Sequence, residues 1–374
     1  MGGKPAEAVI AKRDLKILMT TDAVGGVWQY SVDLIAGLAE TGTQVLLASL
    51  GPRPSATQKQ QLQALPGVTL VESDYALEWM FDPWHDVDAS GEWLLRLQSD
   101  FKADVVHLNG YSHAALGWRT PALVVAHSCV FSWWRAVRGC APAAEWAEYK
   151  RRVAAGLNAA SAVVAPSAYM ARALKNEYGF SAERVPVIHN FTRAQPYNGA
   201  IKQPFCLAAG RLWDAAKNLE LLDKVAPHLK WPVHVAGESS APSHNILLLG
   251  NLPHADFVER LHRAGIFLHP ALYEPFGLCV LEAARSGCCL VLSDIPSLRE
   301  LWDGAAIFID PRDPDAWVSQ TNRLALDSQA RNELAGRALS HSRKYCVASQ
   351  LAHYSELYRS LSGSKESVGE DAAA

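Results

Sequence analysis

Two acids and two cations in the second half of the chain have the types and spacing to hold a long anionic molecule. Glu274 and Glu282 lie eight residues apart in HPALYEPFGLCVLEAARSGCCLVLSD, residues 269–294. On one helix that spacing would rise about 12 Å, and a glycosidase works with its two carboxyls roughly 5–10 Å apart. The pair is better suited to gripping the two ends of an extended ligand. Between the acids, Glu-Pro-Phe-Gly turns into a helical run from about Leu278 to Ser286, stopped by Gly287. The first amides of such a helix are unpaired and carry the positive end of its dipole, so they can take an anion. Arg211 follows a short apolar strand, and Lys217 comes six residues later. Arginine can fork onto two phosphate oxygens, and lysine acts as a point charge. With the helix start at Phe276–Leu278, these cations could neutralise a diphosphate without a divalent metal. A sugar–diphosphate–nucleoside donor fits the layout. An ordinary strand–helix crossover with two surface cations nearby would carry the same residues.

The first half offers a second set. Gly25-Gly26, between an apolar strand and a helix, lets the backbone approach a ligand with no Cβ in the way, though a plain turn is the competing reading. No G-x-G-x-x-G is present at this loop, so a dinucleotide fingerprint is lacking there. His107 and His127 each fall at or near the C-terminal end of a strand, where α/β sheets bind ligands. His127 could hydrogen-bond a sugar hydroxyl or be purely structural. Residues 74–88 (DYALEWMFDPWHDVD) read as a loop whose aromatics either cover an acceptor pocket or pack beneath it. The metal-type spacings Asp86-Val87-Asp88 and Asp313-Pro314-Asp315 are discounted. Neither directly follows an apolar strand, and Asp313 looks like a helix start. Lys150, Arg151 and Arg152 on one helix could touch an anionic acceptor or a membrane surface, or be a solvated face.

The elements that must position these groups alternate along the chain. Apolar runs at residues 15–19, 44–49, 68–72, 104–108, 122–126, 162–165 and 185–188 predict about seven strands, interleaved with helices. A polar, turn-rich segment at 192–203 reads as an interdomain linker. The alternation then restarts with strands at 205–209, 232–236, 246–249, 266–268, 289–292 and 306–309. From residue 329 to 361 the chain reads as helical, and the tail GSKESVGEDAAA as disordered. Two doubly wound α/β domains with a cleft between them are expected. With 374 residues, 49% apolar and 20% charged, the composition suits such a pair. A net charge of −3 gives no pull toward nucleic acid. No apolar run approaches a membrane span; the best candidate, 114–129, holds Arg119 and Pro121. The N-terminus has no secretion-type apolar region, and the seven cysteines form no C-x-x-C, so reduced core thiols of a cytoplasmic protein are expected.

On these residues the chain resembles the retaining glycosyltransferases of the GT-B fold, in glycosyltransferase family four. The resemblance runs through the GGV loop at Gly25–Val27, His127, APS at Ala165–Ser167, HN at His189-Asn190, GRL…KN at Gly210–Asn218, and E-P-F-G-L-x-x-x-E at Glu274–Glu282. Arg211 and Lys217 stand one residue further apart than in the commonest family pattern. The resemblance implies two Rossmann-like domains, 1–195 on the acceptor side and 196–345 on the donor side. A last helix, 346–361, would cross back onto the first domain, its stripe Leu351, Tyr354, Leu357, Tyr358 and Leu361 buried there. The remaining residues, 362–374, form the tail.

It also implies roles. Arg211 and Lys217 would hold the donor diphosphate. Glu274 would bind hydroxyls of the transferred sugar with the amides of Phe276, Gly277 and Leu278, and Glu282 the ribose. Gly25 and Gly26 would approach from the first domain, and His127 would contact the sugar near the reacting carbon. The loop carrying Asn251 and Leu252 would border the base. The implied activity is metal-independent transfer, without a cofactor, from a nucleotide-diphosphate sugar (UDP before GDP) to a glycan or lipid-linked hydroxyl. Polysaccharide biosynthesis, with at most peripheral contact with the inner membrane face, is the implied setting. A nucleotide-sugar 2-epimerase of the same fold and a non-catalytic sugar-binding subunit are the competing readings.

Overall fold

The computed structural model describes residues 15–238 and 243–363. The readings of the N-terminal leader and of the tail beyond residue 363 lie outside the described residues. The first half supplies β1 (Lys16–Asp22), α1 (Gly26–Ala39), β2 (Gln44–Leu50), α2 (Ala56–Gln63), β3 (Val68–Glu72), α3 (Trp84–Phe101), β4 (Val105–Leu108), β5 (Ala122–Val125), α4 (Val130–Arg138), α5 (Ala147–Ala159), β6 (Ala162–Val164) and α6 (Ala168–Tyr178). The second half supplies β7 (Gln203–Ala209), α7 (Leu219–Val225), β8 (Val233–Ala236), β9 (Leu247–Gly250), α8 (His254–Arg263), β10 (Ala264–His269), α9 (Leu278–Arg285), β11 (Cys289–Ser293), α10 (Pro296–Trp302), β12 (Ile307–Ile309), α11 (Pro314–Leu326), α12 (Ser328–His341) and α13 (Val347–Gly363).

The strands form two six-stranded sheets, ordered β3-β2-β1-β4-β5-β6 and β12-β11-β10-β7-β8-β9, with every named pair parallel. Helices cover both faces of a parallel sheet, so its strands are continuous apolar runs rather than alternating ones. β10 and β11 are buried at every residue. Each sheet has a core layer on either side. Helix starts follow local chemistry. Ser167 accepts from the Met170 amide ahead of α6, and Asp313 from that of Ala316 ahead of α11, so Asp313-Pro314-Asp315 is a helix start.

Three sequence expectations change. The segment 74–88 is a loop only to Pro83; an eighteen-residue helix begins at Trp84, hidden by the aromatic and turn residues around its start. Asp86 accepts from the Ala76 amide and Asp88 pairs with Arg152. The expected strand at 185–188 is a single bridge, Ala165 to Val187. Pro186 has no amide proton to extend that ladder. The helix after residue 329 is divided into α12, a short turn and α13. α13 lies on the first sheet: Tyr354 and Tyr358 are fully buried among Ile17, Met19, Leu34 and Ile35. Gly37 of α1 permits the approach, since a Cβ there would stand 2.8 Å from Leu351 Cδ2.

Candidate functional site

The site is assembled where the C-terminal ends of the two sheets face each other, and its centre is Glu274. β10 ends at His269, the chain turns through residues 270–276, and α9 begins at Leu278. The turn needs Gly277, whose φ of 85° is left-handed backbone that favours glycine. A Cβ there would also meet Val280 at 3.1 Å and Glu274 Cγ at 3.3 Å. Lys217 Nζ donates to Glu274 Oε2 at 2.8 Å, and His269 Nε2 lies 3.2 Å from the same oxygen. Burial alone would raise the Glu274 carboxyl. The ammonium and imidazole outweigh that and hold it far below the usual carboxylate range.

The extra residue between Arg211 and Lys217 does not separate the cations from the site. Asp214 caps a short 3₁₀ turn, Ala215–Lys217, and Asn218 follows with a φ of 54°. Asn218 Nδ2 donates to the carbonyls of Pro270 and Pro311, each at 3.0 Å, tying this loop to the Glu274 turn. Arg211 Nη2 donates to Asp214 Oδ2 at 3.0 Å, while its Nε is buried without a partner. Gly25 lies against the guanidinium: a Cβ there would sit 2.5 Å from Nη1. A Cβ at Gly26 would lie 3.8 Å from Leu278. The glycine loop of the first domain thus faces the cation and the helix start of the second. Burial pushes the nearby Asp22 carboxyl up, against the Val24 amide and the Arg211 charge.

Other bonds cross between the halves. Trp133 Nε1 donates to Asp214 Oδ1 at 3.0 Å, Ser132 Oγ and Tyr273 Oη lie 2.8 Å apart, and Ser167 Oγ donates to the Pro275 carbonyl at 2.7 Å. Glu300 of α10 accepts from the first two amides of α6, Ala168 and Tyr169, both at 2.7 Å. The linker is anchored too: Thr192 Oγ1 reaches Glu282 Oε1 at 3.4 Å.

Glu282, inside α9, is buried and receives His254 Nε2 at 2.7 Å. Asp33 of α1 approaches from the first domain; burial first, then the Glu282 charge, pushes its carboxyl up to about 7. Asn251 is exposed and Leu252 half-buried, between β9 and α8. Phe276 is buried against His189 and Tyr345, while Leu278 is only partly covered. His127, two residues beyond the Val125 end of β5, has Nε2 2.9 Å from Asn109 Oδ1 and packs edge-on to Tyr30. Burial, then the neighbouring His107, lowers its pKa to about 3, so it is neutral at physiological pH.

The cleft therefore gathers Arg211, Lys217, Glu274, Gly25, Gly26 and the Gly277–Leu278 helix start, with Glu282 further along the same helix. Sequence reasoning passed over His269, Asp214, His254, Asp33 and Asn109. The first four are recognisable only from the residues they pair with, whereas Asn109 directly follows the end of β4, two residues after His107. The basic helix α5 is less available than its sequence implies. Arg151 and Arg152 pair with Glu148, and Arg152 also with Asp88. All seven cysteines are free thiols, four of them buried. No group of three or more His, Cys, Asp or Glu that could hold a metal ion occurs among the described residues. No helix among them is long and apolar enough to cross a membrane.

Known proteins agree with this architecture. Residues 24–195 match the model of Glycosyltransferase Family 4, and residues 195–341 that of Glycosyl transferases group 1. Sucrose-phosphate synthase from Thermosynechococcus elongatus superposes with a TM-score of 0.76 at 16% identity, covering 94% of this chain and 100% of that one. HepE of Anabaena, in complex with UDP and glucose, gives 0.72 at 16% identity over 93% and 100%. Glycogen synthase of Mycobacterium tuberculosis (strain CDC 1551 / Oshkosh) is 30% identical over 197 residues, 46% of this chain and 47% of its own length. The matched stretches span 25% to 47% of the curated relatives' lengths. The fold and site thus define a GT-B enzyme of two Rossmann-like domains. The chain belongs to the glycosyltransferases, its first part to family 4 and its second to group 1.

Proposed function

We propose that this enzyme transfers a sugar from a nucleotide-diphosphate sugar, with retention of anomeric configuration and without a metal, to a hydroxyl of a glycan or lipid-linked acceptor. UDP is the favoured nucleotide and GDP the next. The observation that carries the reading is the half-buried Lys217–Glu274 pair with buried His269, beside Arg211 and the start of α9. HepE in complex with UDP and glucose supports the UDP preference.

As the bond between the anomeric carbon and the diphosphate oxygen breaks, negative charge grows on the leaving group. Arg211, Lys217 and the amides of Phe276, Gly277 and Leu278 stabilise that charge in place. Arg211 must exchange part of its bond to Asp214 for phosphate oxygens. Its unpartnered Nε is ready to donate. Glu274, kept ionised, accepts from hydroxyls of the transferred sugar and cannot serve as a proton donor. Glu282 accepts from the ribose, with Asn251 and Leu252 bordering the base. The acceptor attacks from the face the diphosphate leaves, and its proton passes to a leaving phosphate oxygen.

Replacing Arg211 or Lys217 with Ala costs roughly 2–5 kcal/mol in kcat/KM, because a partly desolvated charge loses its partner. The donor is read first from thermal shifts with UDP, GDP and ADP, since a bound ligand raises apparent stability by mass action. Transfer is then assayed with the matching sugar nucleotides. Undiminished turnover in both variants would refute the phosphate assignment.

A further inference from the structure

We infer that Asn109 is a positioning residue that locks His127 in its Nε2–H tautomer, so that the nitrogen left for a donor sugar, Nδ1, can only accept a hydrogen bond. The lock itself is a property of the free protein. Its consequence for the sugar rests on the reading of His127 as a donor contact.

Asn109 directly follows β4, and its backbone amide donates to Thr20 Oγ1 at 3.0 Å. Its side-chain Nδ2 lies 2.7 Å from the Thr20 carbonyl oxygen and 3.4 Å from Ser31 Oγ. A carbonyl can only accept, so the NH₂ group must face β1. Turning the amide over would set two acceptor oxygens against each other at that distance. Asn109 Oδ1 therefore faces the other way, 2.9 Å from His127 Nε2 and 3.2 Å from His107 Nε2. Oδ1 has only lone pairs, so each nitrogen facing it must bring a proton.

The surrounding bonds agree. Burial lowers the His107 pKa to about 4, so its ring is neutral and a proton on Nε2 leaves Nδ1 bare. Tyr358 Oη stands 2.7 Å from that Nδ1 and donates to it. The Tyr30 hydroxyl donates to Tyr354 at 2.8 Å. The order runs one way, from Tyr358 on α13 through His107 to Asn109, with His127 donating to the same oxygen. Tyr30, edge-on to His127 with ring centres 4.5 Å apart, restrains its ring. His127 is also neutral, so its Nδ1 carries a lone pair. A sugar hydroxyl meeting Nδ1 must be the donor of the bond, and a fluorine in its place cannot be.

The test is ¹⁵N NMR of histidine side chains in the free full-length protein, with His127 assigned by the signals missing from H127Q. The expected wild-type pattern is a protonated Nε2 and a bare Nδ1 at both His127 and His107. N109A should shift His127 toward a mixture of tautomers. N109D sets a carboxylate against both rings and should bring His127 protonation into the neutral pH range. With UDP-glucose as donor probe, N109A should lower kcat on the order of tenfold, the scale of one hydrogen bond, with KM moved less. N109D should regain activity as pH rises and His127 sheds its proton. A wild-type His127 protonated on Nδ1, or an N109A spectrum still wholly Nε2–H, overturns the inference, and the wild-type spectrum decides even if the variants fail to fold. The expected spectrum in an enzyme that neither binds nor turns over UDP-glucose supports the lock and counts against the donor reading.

Discussion

Replacing Asp33 with Asn tests whether the two halves meet in the ionic arrangement described. Asp33 Oδ1 accepts from Gln29 Nε2 at 3.0 Å, and its Oδ2 is buried with no partner. Burial, and Glu282 facing it from the second domain, raise its pKa from 3.8 to about 7. Each pKa unit corresponds to about 1.36 kcal/mol. That rise therefore costs the folded protein up to about 4 kcal/mol once the group is ionised. The sign follows from proton counts. Between about pH 4 and pH 7 the folded acid holds its proton while the unfolded chain has lost it, so this group's contribution to stability falls as pH rises. Asn removes that dependence but puts an unpaired buried donor where Oδ2 was, at about 1–3 kcal/mol. The variant should be less stable than the parent at about pH 5 and more stable, by about 1–3 kcal/mol, at about pH 8.5. Urea midpoints followed by tryptophan fluorescence at both pH values measure the reversal. An equal shift of midpoint at the two pH values would show that Asp33 does not face Glu282 in a closed, dry contact.

Two further substitutions separate chemistry from stability. G25A forces the Arg211 guanidinium aside, because the new Cβ would sit 2.5 Å from Nη1. Since a φ of −165° is backbone any residue adopts, kcat/KM should fall on the order of ten- to a hundredfold with little change in melting temperature, and full activity would remove Gly25 from the site. S167A deletes both the cap on the Met170 amide and the 2.7 Å bond across the cleft to the Pro275 carbonyl. It should cost about 1–2 kcal/mol in denaturant unfolding, and unchanged stability would mean that neither bond matters.

The sequence by itself determined the alternation of strands and helices, the break at 192–203 and the residue types gathered around Glu274. These are local properties: a strand buried on both faces must be apolar along its length, and a helix start must expose amides. Family resemblance then named Arg211, Lys217, Glu274 and Glu282 with their order. Where local composition misleads, the reading failed, as at Trp84, where aromatics masked a long helix, and at Pro186, where an apolar run has too few amides for a strand.

Tertiary structure alone decided which charges neutralise which. Lys217 meets Glu274, 57 positions further along the chain, and His107 meets Tyr358, 251 positions further along. No periodicity records such pairings, because they depend on how the strand ends converge and how α13 returns to the first sheet. The same holds for Asp33, which reads as an ordinary polar residue of an amphipathic helix. Burial in a space closed to water, and then the approach of Glu282 from the other domain, move its titration to neutral pH. Residue types are a matter of local chemistry, whereas protonation states and tautomers belong to the assembled, desolvated contact.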